Sequence, residues 1–258
     1  PLVQVQTPEG PLLGEVTGRE RAHGEIPAQL QFRVANRDVY GQDFRWVRQD
    51  GLRDWQRPWN AVLIERLEYG SFIGFPVAVE HQGHPVATGH ETLSVLRQHL
   101  PRARRLRERI LTIEKQDIGS VNAELEELRL EQRRLEETDP SSRSKDLERR
   151  QDELQTRYQN LQAKLESLRE ESRKFTLVLQ TVEGHRVTQP LTHVIRVVPS
   201  NQLGFFAKAR IYGSRLWEFV SGDPRESNTE GGIFPAIFGT VMMVLIMSVL
   251  AVPLGVLA

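Results

Sequence analysis

The chain lacks both cysteine and net charge, and each absence limits what it can do. Without cysteine it forms neither disulfide bonds nor thiolate metal sites. Such a chain fits the cytoplasm and a bacterial periplasm equally well, so cysteine content does not decide the compartment. The 34 basic and 34 acidic residues balance, which leaves no overall field to attract nucleic acid or another polyanion.

The sequence motifs of the common enzyme classes are also absent. No glycine-rich phosphate loop of the G-x-x-x-x-G-K-[ST] or G-x-G-x-x-G type occurs. Neither a G-x-S-x-G nucleophile elbow nor an H-E-x-x-H zinc motif is found. We therefore predict that the chain is not an enzyme, and that it has no catalytic residue, no cofactor and no resident metal.

Polarity is distributed unevenly along the chain. The mean hydropathy is −0.43, yet residues 231–258 carry no charged side chain. A helix over 236–257 would be about 33 Å long, enough to cross a bilayer core of about 30 Å. The alternative, a helix buried in a water-soluble core, is disfavoured because the other residues are too polar to enclose it. We predict a transmembrane helix in 231–258, and since the chain also begins without methionine, we expect an internal piece of a longer polypeptide.

Residues 1–92 are predicted to form the first part of a β-rich domain. Apolar and polar residues alternate with the period of two that is typical of half-buried strands. The predicted strands lie at 3–6, 30–34, 44–47, 61–68 and 72–80. Trp46, Trp55 and Trp59 are expected to supply much of a small core, because each aromatic side chain buries a large area.

Residues 93–173 are predicted to form an antiparallel coiled-coil hairpin. In the first arm apolar residues follow steps of three and four, and the step of five between Ile113 and Ile118 predicts a phase shift or kink. Pro140 ends this arm because it cannot continue a helix. In the second arm leucine recurs at heptad spacing, at positions 147, 154, 161 and 168.

Strand periodicity returns in residues 174–200, the predicted second part of the β-rich domain, with strands at 175–180 and 192–198. Residues 201–230 are predicted to form an amphipathic helix and a linker. This helix fits either a bilayer surface or a position packed on the β-domain. The predicted fold class is α+β and membrane-attached: a discontinuous β-rich domain with an inserted antiparallel coiled-coil hairpin, followed by one transmembrane helix.

One cluster of histidines carries metal-ligand side chains. It consists of His81, His84 and His90, with Glu80 and Glu91 adjacent. The segment is loop-like and rich in glycine, and its spacing fits no reliable zinc pattern. Surface histidines are therefore the favoured interpretation.

Two further polar clusters are candidates for binding an anion. The basic cluster consists of Arg102, Arg104, Arg105, Arg107 and Arg109. It is compatible with binding anionic lipid or nucleic acid, but a solvated helix surface is favoured because arginine occurs on every side of the turn. The second cluster consists of Asn36, Arg37, Asp38, Asp43, Arg45 and Arg48. A strand surface with salt bridges explains it as well, so we assign no site residue.

The apolar end of the chain resembles a known family. Residues 231–240 (Gly-Gly-Ile-Phe-Pro-Ala-Ile-Phe-Gly-Thr) and 251–256 (Ala-Val-Pro-Leu-Gly-Val) resemble the second membrane helix of phosphate ABC transporter permeases of the PstA class. In that family a Gly-Gly-Ile stretch enters the membrane and a Pro-x-Gly lies near its cytoplasmic end. Some members carry a long periplasmic insertion between the first and second membrane helices, and residues 1–230 look like that insertion.

The resemblance implies a fragment of an inner-membrane permease subunit of an ABC importer for inorganic phosphate, with residues 1–230 in the periplasm. Its implied partners are a second permease subunit, a separate ATPase subunit, a periplasmic phosphate-binding protein and the membrane, but no nucleic acid. The flank before the apolar run is compatible with this, because only Arg225 is basic between Trp217 and Ile233. The inserted domain is expected to dock the binding protein or the partner permease.

Two other classes of protein fit the same pattern. One is a periplasmic coiled-coil adaptor of an efflux or secretion system, and the other is a tail-anchored scaffolding protein. The sequence beyond Ala258 would separate these classes. Further apolar spans with a cytoplasmic loop would favour a permease, whereas a stop codon within a few residues would favour a tail anchor.

Overall fold

The structure is a computed structural model, and it describes residues 1–23, 27–138, 145–221 and 238–248. The chain divides into two compact units, residues 1–201 and residues 202–258. The first unit contains two antiparallel β-sheets and the helices α1 to α4. The second unit contains helix α5 (Phe205–Ser221), within the segment 201–230 that is predicted to form an amphipathic helix and a linker, and a helical segment at 238–248.

The first sheet has the strand order β4-β3-β2-β1-β5. Its strands are β1 (Leu2–Thr7), β2 (Gly10–Glu20), β3 (Gln29–Arg33), β4 (Phe44–Arg48) and β5 (Arg53–Gln56). Because side chains alternate between the two faces of a strand, one face of this sheet collects the apolar residues. The core on that face consists of Val3, Val5, Leu12, Leu30, Phe32 and Val34.

This first sheet curls on itself. Strands β4 and β5 lie at opposite edges, yet only residues 49–52 connect them. The edges of a flat five-stranded sheet would be about 19 Å apart, at about 4.8 Å per strand. The link contains a 3₁₀ turn, Gln49–Gly51, which extends the chain by only about 2 Å per residue. The ring of Trp55 on β5 lies 6.2 Å from the ring of Phe32 on β3, so the apolar face is concave.

The second sheet has the order β10-β9-β7-β6-β11, with β8 also paired to β7. Its strands are β6 (Val62–Arg66), β7 (Ser71–His81), β8 (His84–Thr88), β9 (Phe175–Gln180), β10 (Arg186–Pro190) and β11 (Val194–Val198). The strand predicted at 192–198 corresponds to β11 (Val194–Val198), but it does not pair with the strand predicted at 175–180. Strand β9 pairs instead with β10, and β11 pairs with β6. Strand β10 was missed because its sequence, Arg-Val-Thr-Gln-Pro, has almost no apolar alternation.

The long helices are inserted between β8 and β9 of the second sheet. Helix α1 (Arg37–Tyr40) is short, and the long helices are α2 (Thr92–Thr112), α3 (Ile118–Thr138) and α4 (Lys145–Lys174). Leu96, Leu100 and Ala103 of α2 are buried in one core cluster with apolar residues of the second sheet. Residues Ile113–Asp117, between α2 and α3, form a π-helix. The phase shift that the sequence predicts between Ile113 and Ile118 is therefore confirmed.

The predicted coiled-coil hairpin is wrong, because none is evident in the described residues. The heptad leucines at 147, 154, 161 and 168 are only half-buried, whereas the buried side chain of α4 is Leu165. The π-helix interrupts the heptad spacing of the other arm. The predicted turn around Pro140 falls in 139–144, outside the described residues. Helices α3 and α4 do pack against each other, and exposed ion pairs such as Arg157 with Glu124 join them.

The predicted transmembrane helix is also not found. Of residues 231–258, only 238–248 are described, and these are helical. No helix among the described residues is long and apolar enough to cross a membrane. The fold class is thus corrected to α+β with two antiparallel sheets and the helices α1 to α5.

Candidate functional site

The cluster around Asn36 and Asp38 connects the two sheets. Asn36 follows β3, and its side-chain amide donates to the carbonyl of Ile73 on β7 at 2.8 Å and accepts the Ile73 N–H at 2.7 Å. Arg66 on β6 donates to both carboxylate oxygens of Asp38 at 2.8 Å, and to the carbonyl of Gly70 at 3.1 Å. The Arg66 side chain is only 2% exposed. Because its donors are used within the protein, this cluster is a clamp between the sheets and not an open anion site.

The clamp holds Asp38 ionised. Burial acts to raise the pKa of Asp38, but the hydrogen bonds and positive charge of Arg66 outweigh it, and the pKa lies below 3.8. Ala35, Asn36 and Tyr69 nearby in the chain have φ angles of 52°, 57° and 63°, in the left-handed region that non-glycine residues seldom adopt. The clamp therefore fixes two strained loops, which identifies a structural role for these residues.

The other predicted members of this cluster do not join the clamp. The carbonyl of Asp43 accepts the N–H of Val34, which continues the pairing of β3 with β4. Arg45 forms an ion pair with Glu9, and Arg37 lies exposed at the start of α1. The ion pair of Arg45 with Glu9 fits the salt-bridged strand surface that the sequence allows, whereas Asp43 takes part through its backbone carbonyl and Arg37 lies on α1.

Tyr40, at the end of α1, connects the same region to the second sheet. Burial raises the pKa of its hydroxyl above the usual 10.0. A hydrogen bond with Thr181 opposes this shift, and the charge of Glu183 adds to it. Tyr40 is thus a neutral hydrogen-bonding group at neutral pH.

The structure does not bring His81, His84 and His90 together at one site. His81 and His84 are partners in the β7–β8 hairpin, while His90 lies in a 3₁₀ turn after β8. In the described ranges, no three His, Asp or Glu side chains are placed to hold a metal ion. The ring of His81 instead lies 4.4 Å from Phe175, and His99, which the sequence did not single out, lies 4.7 Å from the same ring. These aromatic contacts join α2 and β7 where α4 ends and β9 begins.

The fold divides the basic cluster into two groups. Three of its arginines bond to neighbouring elements: Arg102 to Glu171 at 2.9 Å, Arg104 to the carbonyl of Ile195 at 2.7 Å, and Arg107 to the carbonyl of Thr192 at 3.4 Å. These bonds fasten α2 to α4 and to the segment around β11. The remaining two, Arg105 and Arg109, line a cleft with Lys164 of α4.

The tryptophans predicted to supply the core are largely exposed, although the ring of Trp55 also contacts the buried Phe32. Trp46, Trp55 and Trp59 are 45%, 51% and 69% exposed. On β4 the inward position belongs to Val47, which packs against the core of the first sheet, so the alternation of the strand turns Trp46 outward. Local composition does not indicate which face of an edge strand is buried.

Arginines accompany the exposed tryptophans on both edge strands of the first sheet. We define two tryptophan–arginine patches: the β4 patch consists of Phe44, Trp46 and Arg48, and the β5 patch consists of Arg53, Trp55 and Arg57, all exposed. Among the described residues, β4 and β5 each pair with a strand on one side only. In the sequence the second patch is the run Arg-x-Trp-x-Arg, but strand alternation does not place its side chains on one face, because Asp54 has a φ of 52° and the register of β1 with β5 shifts there.

Chemically, the two patches are suited to binding. They offer indole rings and guanidinium groups, the side chains that most often dominate the binding energy of protein interfaces. No family model, no curated protein and no solved structure matches the chain.

Proposed function

We propose that residues 1–201 are a docking domain that binds a partner protein through the two tryptophan–arginine patches. The observation that carries this proposal is the exposure of Trp46 and Trp55 beside arginines on the edge strands of a sheet that already has its own core. Burying these rings against a partner removes apolar surface from water, while the arginines supply charge-assisted hydrogen bonds. The same patches favour a partner with carboxylates around an apolar recess.

We further propose that this domain belongs to a permease subunit of an ABC importer for inorganic phosphate. Support comes from the resemblance of residues 231–256 to that permease family. The docked partner is then the periplasmic phosphate-binding protein or the second permease subunit, and residues 1–201 lie in the periplasm. ATP hydrolysis belongs to a separate subunit.

Photo-crosslinking in the full-length protein tests the docking proposal. A photoreactive phenylalanine analogue is placed at Trp46, at Trp55, or at Leu130, an exposed apolar residue of α3 that serves as control. We expect the phosphate-binding protein or the partner permease to be captured from positions 46 and 55 but not from 130. If neither protein is captured from position 46 or from position 55, although the variants are expressed at the normal level, the proposal is refuted.

Uptake of phosphate tests the transport context separately. Trp55→Ala is expected to reduce uptake at low phosphate concentration, because weaker docking slows delivery of the substrate. Leu130→Ala should leave uptake unchanged. If neither deletion of the whole gene nor Trp55→Ala alters phosphate uptake, the assignment to a phosphate importer fails, even where crosslinking succeeds.

A further inference from the structure

A cleft of about 410 Å³ lies between the C-terminal half of α2 and α4. Its walls carry an unusual number of charges over a buried apolar residue. The residues that matter here are three cations, Arg105, Arg109 and Lys164, two carboxylates, Glu108 and Asp117, and the buried Ile113.

Elsewhere along these helices, charges pair from one helix to the other. The pairs are Arg102 with Glu171 at 2.9 Å, Arg169 with Glu114 at 2.7 Å, and Arg157 with Glu124 at 3.5 Å. In the cleft, the side chains of Arg105, Arg109 and Lys164 make no hydrogen bond or ion pair to any residue that the structure describes. Opposite charges are present but held apart, so three cations remain available for a ligand.

A π-helix borders this cleft. Ile113–Asp117 forms one side of the cleft, and its wider turn shifts the phase of α3 relative to α2. Short π-helical segments inside α-helices are frequent at functional sites.

We propose that this cleft binds a phosphate-type oxyanion. Arg105 and Arg109 are four residues apart, so their guanidinium groups project from the same side of α2. Guanidinium forks match the oxygens of phosphate in pairs, and Lys164 adds a third charge from α4. Glu108 and Asp117 reduce the net charge of the cleft to about +1, counting three cations against two carboxylates. This small surplus favours one compact anionic group over an extended polyanion.

The source of the oxyanion is either free phosphate or the headgroup of an anionic phospholipid, and two assays on the full chain distinguish them. Inorganic phosphate is titrated calorimetrically at 150 mM salt, and flotation measures binding to phosphatidylglycerol vesicles. The variant is Arg105→Gln/Arg109→Gln, and the matched control is Arg133→Gln, an exposed arginine of α3. Circular dichroism checks that each variant is folded, and Lys164→Gln replaces the double variant if that one does not fold.

We expect binding in at least one assay, at least tenfold weaker in the double variant and unchanged in the control. Binding of vesicles alone identifies a lipid headgroup, and binding of phosphate alone identifies the free ion. If wild type binds in neither assay, or if Arg133→Gln weakens binding as much as the cleft variant, the proposal is overturned. The docking proposal is independent, because its crosslinks from positions 46 and 55 do not involve the cleft.

Discussion

At the scale of single residues, the connection between the sheets depends on the ion pair of the buried Arg66 with Asp38, whose carboxylate is partly exposed. The guanidinium is almost fully buried and donates two hydrogen bonds to the carboxylate. A buried charge that loses its partner keeps its desolvation cost without compensation. Removing one member of the pair therefore costs more free energy than the intact pair contributes, so a single substitution should destabilise this part of the fold.

Asp38→Ala is expected to lower the free energy of unfolding by about 2–3 kcal/mol, because it removes two charge-assisted hydrogen bonds from Arg66, which keeps only its bonds to the carbonyls of Tyr69 and Gly70. Urea denaturation measures this loss. The control is Asp50→Ala, which removes an exposed pair with Arg48 at 3.9 Å and should cost no more than about 0.5 kcal/mol. Equal losses in the two variants would show that the clamp does not carry the connection between the sheets.

The same carboxyl gives stability a pH dependence of defined sign. Because the pKa of Asp38 in the folded state lies below its ordinary value of 3.8, the stabilisation is present above that value. It is lost as the pH falls through the folded-state pKa. We expect the free energy of unfolding of wild type to fall more steeply between about pH 5 and pH 3 than that of Asp38→Asn. Urea titrations at both pH values measure the difference, and parallel curves would contradict it.

At the scale of elements, the contact of α4 with its neighbours depends on Leu165 and not on the heptad leucines. Leu165 is buried, whereas Leu161 is half-buried. Leu165→Ala should lower the free energy of unfolding by about 2–4 kcal/mol, because it leaves a cavity, and Leu161→Ala by about 1 kcal/mol. Thermal unfolding by circular dichroism compares the two variants. A larger effect at Leu161 would restore the heptad interpretation.

Sequence patterns predict where helices and strands lie, but not which elements pack or pair with one another. Alternation locates β3 and β7, and the step of five locates the π-helix, because these signals depend on near neighbours. Heptad spacing alone does not specify a coiled coil, since a helix pair with partly exposed leucines shows it as well. The patches and the clamp depend on distant contacts, such as Asn36 with Ile73, and no local pattern encodes these.

At the scale of the whole molecule, the first unit closes on itself. The N–H of Leu2 donates to the side-chain oxygen of Asn201 at 3.0 Å, and the Asn201 amide donates to the carbonyl of Leu2 at 2.9 Å and to that of Pro58 at 2.8 Å. Strand β11, shortly before Asn201, forms an edge of the second sheet. The beginning and the end of residues 1–201 are thus held by the same bonds.

A fragment of residues 1–201 is therefore expected to fold alone and to unfold in a single cooperative transition, because both cores and the bonds that close the unit lie within it. A fragment of residues 1–193 should lose this transition, since removing β11 uncovers β6 and exposes the buried Val62 and Ile64 to water. Circular dichroism and calorimetry measure both fragments.

Asn201→Ala in the longer fragment separates the contribution of β11 from that of the closing bonds. The variant keeps β11 but removes the closing bonds, so its melting temperature should fall by several degrees while the transition stays cooperative. If 1–193 melts like 1–201, neither the edge strand nor the closing bonds are needed, and the unit must be stabilised by the core around α2 alone.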